Sequence, residues 1–285
     1  METPRFIARD AFERLRGARE FAWNGEGLWC CGVIDALARP CVAIVGTRAA
    51  TPYGRRLAGC FARDLAHAGC TIVSGLALGI DAAAHAAALE ADAATIGVLG
   101  GGHERFFPRR NRELAERMIQ RGAVLSPYPP QRETYPYQFL ERNGIVAALA
   151  DAVLVIEAPA RSGALNTAGW AAGSIPVFAV PGDVDRASFA GSHALLRDGA
   201  TLARSAADVL EGLRIDARFD ARPEVERDGV EGTILRLLAN GERPLDDLID
   251  ATGLATADLL ATLAMLELEG LVERRGATRF GRLIQ

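Results

Sequence analysis

Short apolar runs, each followed by a helix-length segment, recur through most of the chain: Val42-Ala43-Ile44-Val45, Thr71-Ile72-Val73, Thr95 to Leu99, Ala123-Val124-Leu125, Ala152 to Ile156 and Pro176 to Val180. Runs of this length without polar alternation are strands buried on both faces, the situation of a parallel sheet covered by helices. Between them the spacing predicts helices from Pro52 to about Ala68, Ile80 to Ala91, Arg109 to Gln120, Tyr137 to Leu149, Ala164 to Ala172, Ser192 to Arg197 and Ala206 to Leu213. Thr51 and Pro52 fit the first of these starts, one as the capping hydroxyl and the other as a residue already held at a helical φ. The expected fold class is α/β with a mostly parallel sheet, over residues 40–213.

The flanks read differently. Residues 1–39 form a short N-terminal extension with weak helical spacing from Phe6 to Leu15 and an apolar stretch from Gly27 to Ala38. Residues 214–228, charged and interrupted by Pro223, have the composition of a linker. Residues 229–285 then predict helices from Val230 to Leu238, Pro244 to Ala251 and Thr256 to Glu269, followed by a hairpin over Leu271 to Phe280 with its turn near Gly276. Three helices and a hairpin make a winged helix. Its third helix carries Asp258, Glu267 and Glu269 and no cation, so it is expected to contact protein rather than DNA. The wing, with Arg274, Arg275, Arg279 and Arg282, has the charge to touch a DNA backbone.

Charge and composition restrict function. All 32 basic residues are Arg, so anions meet a planar, bidentate donor. The net charge of −4 gives no overall basic field, and a nucleic-acid site must be a local patch. Residues 1–25 lack the apolar core of a signal peptide, no apolar run reaches the length of a membrane span, and no membrane association is expected. Five cysteines without metal-ligand spacing are expected to be reduced, which points to the cytoplasm. The histidines His67, His85, His103 and His193 are scattered, and no G-x-S-x-G, Walker A or G-x-G-x-x-G pattern occurs. The reading is of a non-catalytic protein without metal or cofactor. Asp81 and Glu157 lie near strand ends; Asp81 is read as a cap for the helix it precedes.

In open α/β sheets ligands sit beyond the carboxyl ends of the strands. Here those ends are Gly46-Thr47-Arg48, Ser74-Gly75-Leu76-Ala77-Leu78-Gly79, Gly100-Gly101-Gly102 and the segment from Glu157 to Arg161-Ser162-Gly163. Glycines there admit an anion to the backbone, and the helix starts that follow offer N–H groups. The stretch Arg105-Phe106-Phe107-Pro108-Arg109-Arg110-Asn111-Arg112 interleaves aromatics with cations, as do Phe139 and Arg142-Asn143. That mixture suits a backbone-tracking, base-stacking site, with core packing the competing reading for Phe106 and Phe107.

Several ordered segments carry a resemblance: Val42 to Arg48, Ser74 to His85, Phe107-Pro108-Arg109-Arg110-Asn111, Phe139-Leu140-Glu141-Arg142-Asn143, Glu157 to Ala168 and Phe178 to Gly182. Together they resemble the DNA-processing protein A (DprA/Smf) family over roughly residues 40–213, and the C-terminal unit resembles the winged helix of many members. The resemblance implies an extended Rossmann-like domain that binds single-stranded DNA, forms a homodimer, protects incoming DNA and loads the recombinase RecA during natural transformation. It places Arg48 and Arg109 in a basic DNA-binding pocket with Phe139 and Arg142-Asn143 close by. Gly144 stands where the family usually has a further Arg. The alternative is a nucleotide sensor or phosphoribohydrolase of the cytokinin-activating (LOG) type, whose Pro-Gly-Gly-x-Gly-Thr signature is absent.

Overall fold

A computed structural model of the chain describes residues 2–17, 25–215, 229–238, 241–268, 271–276 and 278–282. The chain divides into two compact units, Met1–Arg218 and Phe219–Gln285. The linker expected over residues 214–228 lies, from residue 216 onward, outside the described residues.

The first unit is built on nine strands: β1 (Arg5–Ala8), β2 (Gly27–Gly32), β3 (Cys41–Val45), β4 (Thr71–Ser74), β5 (Thr95–Val98), β6 (Ala123–Ser126), β7 (Ala152–Val155), β8 (Val177–Ala179) and β9 (Thr201–Leu202). Eight helices accompany them: α1 (Arg9–Arg16), α2 (Pro52–His67), α3 (Ile80–Glu90), α4 (Arg112–Met118), α5 (Pro136–Ala148), α6 (Gly163–Ala171), α7 (Ala190–Arg197) and α8 (Ala206–Gly212). The order across the sheet is β1-β2-β6-β5-β4-β3-β7-β8-β9, parallel from β6 to β9 and antiparallel at β1 and β2. From β3 the chain steps outward through β4, β5 and β6, then returns to the opposite flank of β3 as β7. The switch point therefore lies between β3 and β7.

Strand side chains alternate between faces, and two cores follow from that period. Cys41, Ala43 and Val45 meet residues of α1, α5 and α6, whereas Val42 and Ile44 meet residues of α2, α3 and α8. A smaller cluster of Leu76, Leu99, Phe106, Ala115, Met118 and Val124 seats α4.

The N-terminal segment does more than its sequence indicates. The weak helical spacing of Phe6 to Leu15 corresponds to helix α1 from Arg9 onward, but residues 5–8 form a strand, and Gly27–Gly32 adds a strand against β6. β2 is buried along most of its length, so its uniform apolarity reflects two covered faces and gives no period to read. The helix expected from Arg109 begins as a 3-10 turn over Arg109–Asn111.

In the second unit, α9 (Gly229–Leu238), β10 (Arg243–Pro244), α10 (Leu245–Thr252), α11 (Thr256–Leu268), β11 (Val272–Arg274) and β12 (Arg279–Arg282) form a winged helix, with sheet order β10-β12-β11. Its core joins Ile234, Leu238, Leu248, Leu259, Leu263 and Phe280. Glu269 lies outside the described residues. Wing cations are engaged within the unit: Arg275 pairs with Glu273 at 2.5 Å, Arg279 pairs with Glu242 at 2.9 Å, and the Arg274 guanidinium carbon lies 5.5 Å from the Phe280 centroid.

Candidate nucleic-acid interface

The carboxyl ends of β4 and β5 converge on one side chain, Arg142 of α5. It is 3% exposed. Its Nη1 donates to the carbonyls of Gly75 and, at 2.7 Å, Val98, tying the ends of β4 and β5 together. A Cβ on residue 75 would overlap the guanidinium, so only glycine leaves room for it. Asp81 lies buried alongside and accepts from the backbone N–H groups of Gly75 (3.1 Å) and Ala77 (3.3 Å). Burial lowers the Arg142 pKa to about 10, Asp81 opposing this and the nearby Arg48 adding to it. Burial also raises the Asp81 pKa, against the pull of Arg142 and the N–H bonds.

Arg142, expected in the binding set, is thus placed as a buried strut between strand ends. Its helical position turns it inward, beneath Phe139. Asp81 caps the Gly75–Ala77 turn and does not cap its own helix, whose N-cap is Gly79 at φ +82°.

Above this strut sits an exposed patch. The guanidinium carbon of Arg48 lies 4.6 Å from the centroid of the Phe139 ring, and that of Arg142 lies 5.9 Å from it. Phe107 completes the surface, 51% exposed, with its centroid 6.1 Å from that of Phe139. The competing readings of the two phenylalanines divide cleanly: Phe106, 5% exposed, packs in the α4 core, and Phe107 faces outward. Arg109 and Arg110 are exposed on the turn that follows. Asn111 holds that turn in place, its Nδ2 donating to the carbonyls of Leu76 (2.9 Å) and Ala77 (3.0 Å).

The remaining expected residues serve as scaffold or stand to one side. Ser74 is buried and donates to the Ile44 carbonyl at 2.6 Å; Leu76 is buried in the α4 core. Thr47 donates its backbone N–H to Glu157 O at 2.7 Å across the switch point. The strand-end glycines are closely packed positions that leave no room for a side chain. Side chains at Gly46, Gly79, Gly101 and Gly102 would strike Ile80, Thr47 O, Thr134 and Pro130 O, and one at Gly100 would come within 2.8 Å of the Phe139 ring. Close packing of loop on loop requires them. Arg161, Ser162 and Gly163 start α6, where the Ser162 hydroxyl accepts from Ala164 N at 3.2 Å. They connect to α5 through Asn143, whose Nδ2 donates to Gly163 O at 3.1 Å. Position 144 is also buried within α5.

Glu157 is fully buried, and its Oε2 accepts from the backbone N–H (2.9 Å) and hydroxyl (3.0 Å) of Thr51, completing the start of α2. His85 is neutral: burial, aided by Arg142, pushes its pKa down to about 3. The Thr95 hydroxyl already donates to Ile72 O, so His85 Nδ1 carries the proton and donates to Thr95 Oγ1 at 2.7 Å. Among the described residues no group of three or more His, Cys, Asp or Glu is placed to hold a metal.

Residues 17–214 match the family model for the DNA recombination-mediator protein A, and residues 220–277 that for the DprA winged helix domain. The chain belongs to the DprA family. A DprA-type DNA processing protein of Mycobacterium tuberculosis is 41% identical over 262 residues, covering 87% of this chain and 66% of that protein. Protein Smf of Escherichia coli is 36% identical over 252 residues, covering 85% and 67%. Among solved structures, DprA of Streptococcus pneumoniae superposes with a TM-score of 0.63 at 39% identity, covering 65% of this chain and 66% of that one. DprA of Helicobacter pylori, described for its single-stranded DNA binding mode, gives 0.63 at 30% identity, covering 76% and 95%. The chain thus spans about two thirds of the length of the mycobacterial DprA relative. Among the described residues of this DprA-family chain, no single helix is long and apolar enough to cross a membrane.

One further group, Arg132, Tyr135 and Tyr137, stands outside the residues expected at the site. The only signal was a Tyr-Pro-Tyr run beside an Arg in a proline-rich stretch, a pattern equally suited to an ordinary loop.

Proposed function

We propose that this chain is a non-catalytic, single-stranded DNA-binding recombination mediator, with its binding surface at Arg48, Phe107 and Phe139. The observation that carries the reading is the pair of guanidiniums against one ring. Arg48 and Arg142 both approach Phe139, and Arg142 has Asp81 as its buried counter-charge. Arg48 is left exposed. A phosphate at Arg48 relieves the repulsion between the two cations, while Phe139 and Phe107 offer faces on which bases stack without sequence preference. Arg109, Arg110 and Arg161 supply further phosphate contacts, and the buried Arg142, Asn111 and Asn143 hold the loops in register.

The domain boundaries of the reading are 40–213 for DNA binding, 214–228 for the linker and 229–285 for the winged helix. Protection of incoming DNA, transfer to RecA during natural transformation, a homodimeric state and a cytoplasmic location complete the proposal, supported by family membership. The test is fluorescence polarisation with single- and double-stranded oligonucleotides at two salt concentrations. The expected result is preference for single strands, steep salt dependence, and an equal loss for all sequences in Arg48→Ala, with a salt slope lower by about one. Unchanged affinity in that variant, or release of free base from nucleoside monophosphates by the wild-type chain, overturns the reading.

A further inference from the structure

The loop between β6 and α5 packs onto the three glycines that follow β5. Gly100 faces the Phe139 ring, Gly101 faces Thr134, and Gly102 donates its N–H to Arg132 O at 2.8 Å. Successive Cα atoms are about 3.8 Å apart, so this triplet leads over roughly 7 Å from the Phe139 patch toward the start of a second aromatic group. There the rings of Tyr135 and Tyr137 stack with centroids 6.2 Å apart and planes 15° from parallel. The Arg132 guanidinium carbon lies 5.5 Å from the Tyr135 centroid, and its Nη2 donates to the Tyr137 hydroxyl at 3.0 Å.

Core packing does not account for this group. The rings are 43% and 50% exposed, and neither belongs to a hydrophobic core of the unit. Arg132 is exposed and makes no ion pair among the described residues. Two stacked tyrosines, one beneath a planar cation and the other hydrogen-bonded to it, repeat the composition of the Arg48–Phe139–Phe107 patch. Rigid aromatic faces with few rotatable bonds suit base stacking at low entropic cost.

We propose that Arg132, Tyr135 and Tyr137 form a second base-stacking platform, which takes bases of the same strand beyond those held at Phe139 and Phe107. The inference rests on the single-strand reading above and extends the path of the strand. The acids around the loop define how it works. Glu133 accepts from the Tyr135 hydroxyl at 3.5 Å, Glu104 accepts from Gln131 at 2.8 Å, and Glu141 accepts from Tyr128. Carboxylates this close disfavour phosphates, so the platform contributes through stacking and little through counterion release.

The experiment compares oligothymidylates of about 4 and about 16 nucleotides, the two ends of the range one such surface covers. The variants are Tyr135→Ala/Tyr137→Ala and the conservative Tyr135→Phe/Tyr137→Phe. The expected result is a roughly tenfold loss for the long strand in the alanine variant, no change for the short one, and an unaltered salt slope. The phenylalanine variant, which keeps the ring faces, is expected to bind both strands as the wild type does. Wild-type affinity of the alanine variant for the long strand, alongside a clear loss in Arg48→Ala, overturns the second platform and leaves the first intact. Equal losses on both lengths also overturn it, because the substitution then acts by disturbing the start of α5. Failure of the wild-type chain to bind either strand overturns the single-strand reading and this proposal with it.

Discussion

Replacing Arg142 by Met tests whether the centre of the site is a strut or a ligand contact. Methionine fills most of the same volume and removes the charge. Two carbonyls, Gly75 O and Val98 O, then lose their donor, and Asp81 stays buried without its opposing cation. Leaving two buried carbonyls without their donor costs about 1–3 kcal/mol each, so roughly 2–6 kcal/mol in all. Domains are stable by about 5–15 kcal/mol, so this is a large fraction of the total. In a unit of this size each kcal/mol moves the Tm by about 2–4 °C, which gives a fall of roughly 10 °C. All three tryptophans (Trp23, Trp29 and Trp170) lie in the first unit, so urea unfolding followed by tryptophan fluorescence reports that unit alone. A second change, Asp81→Asn, is expected to recover part of the loss in the double variant, because the stranded charge is gone. A wild-type midpoint for Arg142→Met combined with weakened DNA binding refutes the buried placement and makes Arg142 a phosphate ligand.

Three other outcomes are expected. Gly100→Ala places a methyl group 2.8 Å from the Phe139 ring and displaces it, weakening single-strand binding several-fold in a polarisation assay with little change in unfolding midpoint. His85 is held neutral with a pKa of about 3, against an unfolded value near 6.5, so the unfolded chain binds the extra proton between those limits. Its contribution is therefore complete above pH 6.5 and is lost as pH falls toward 3, by up to about 1.4 kcal/mol per unit; Asp81, raised by burial, has the opposite sign, and His85→Gln should flatten the acid limb of urea midpoints measured against pH. Burial pushes the thiols of Cys30 up to about 12 and of Cys31 and Cys70 to about 11, so a thiol-reactive chromophore should label these slowly in the native protein and rapidly in urea, with the less buried Cys60 reacting first.

Strand-length apolar runs and capped helix starts fixed the sheet from β3 to β8 in advance, since a segment buried on both faces announces itself by composition alone. β1 and β2 did not announce themselves. Gly27–Gly32 is as apolar as a core helix segment, and its partner β6 is about ninety residues away in sequence, so pairing had to be seen in space. The winged helix was readable for the same local reasons as the main sheet, helix periods and a glycine turn.

The Arg48–Phe139 patch began as an inference about strand ends rich in arginine and glycine, and that much belongs to the sequence. The motif cations Arg48, Arg109 and Arg142 share one chemistry on paper, and their order along the chain does not distinguish them. Tertiary structure separates them by direction. Arg48 and Arg109 face solvent, whereas Arg142 turns under Phe139 into the space that Gly75 vacates. The glycines divide in the same way: their positions beyond the strands are written in the sequence, but what presses against each of them is known only when the loops are packed. Residue type sets which interactions are possible at this site. Burial, which depends on partners distant in the chain, decides which of those cations carries the fold and which remains free for an anion.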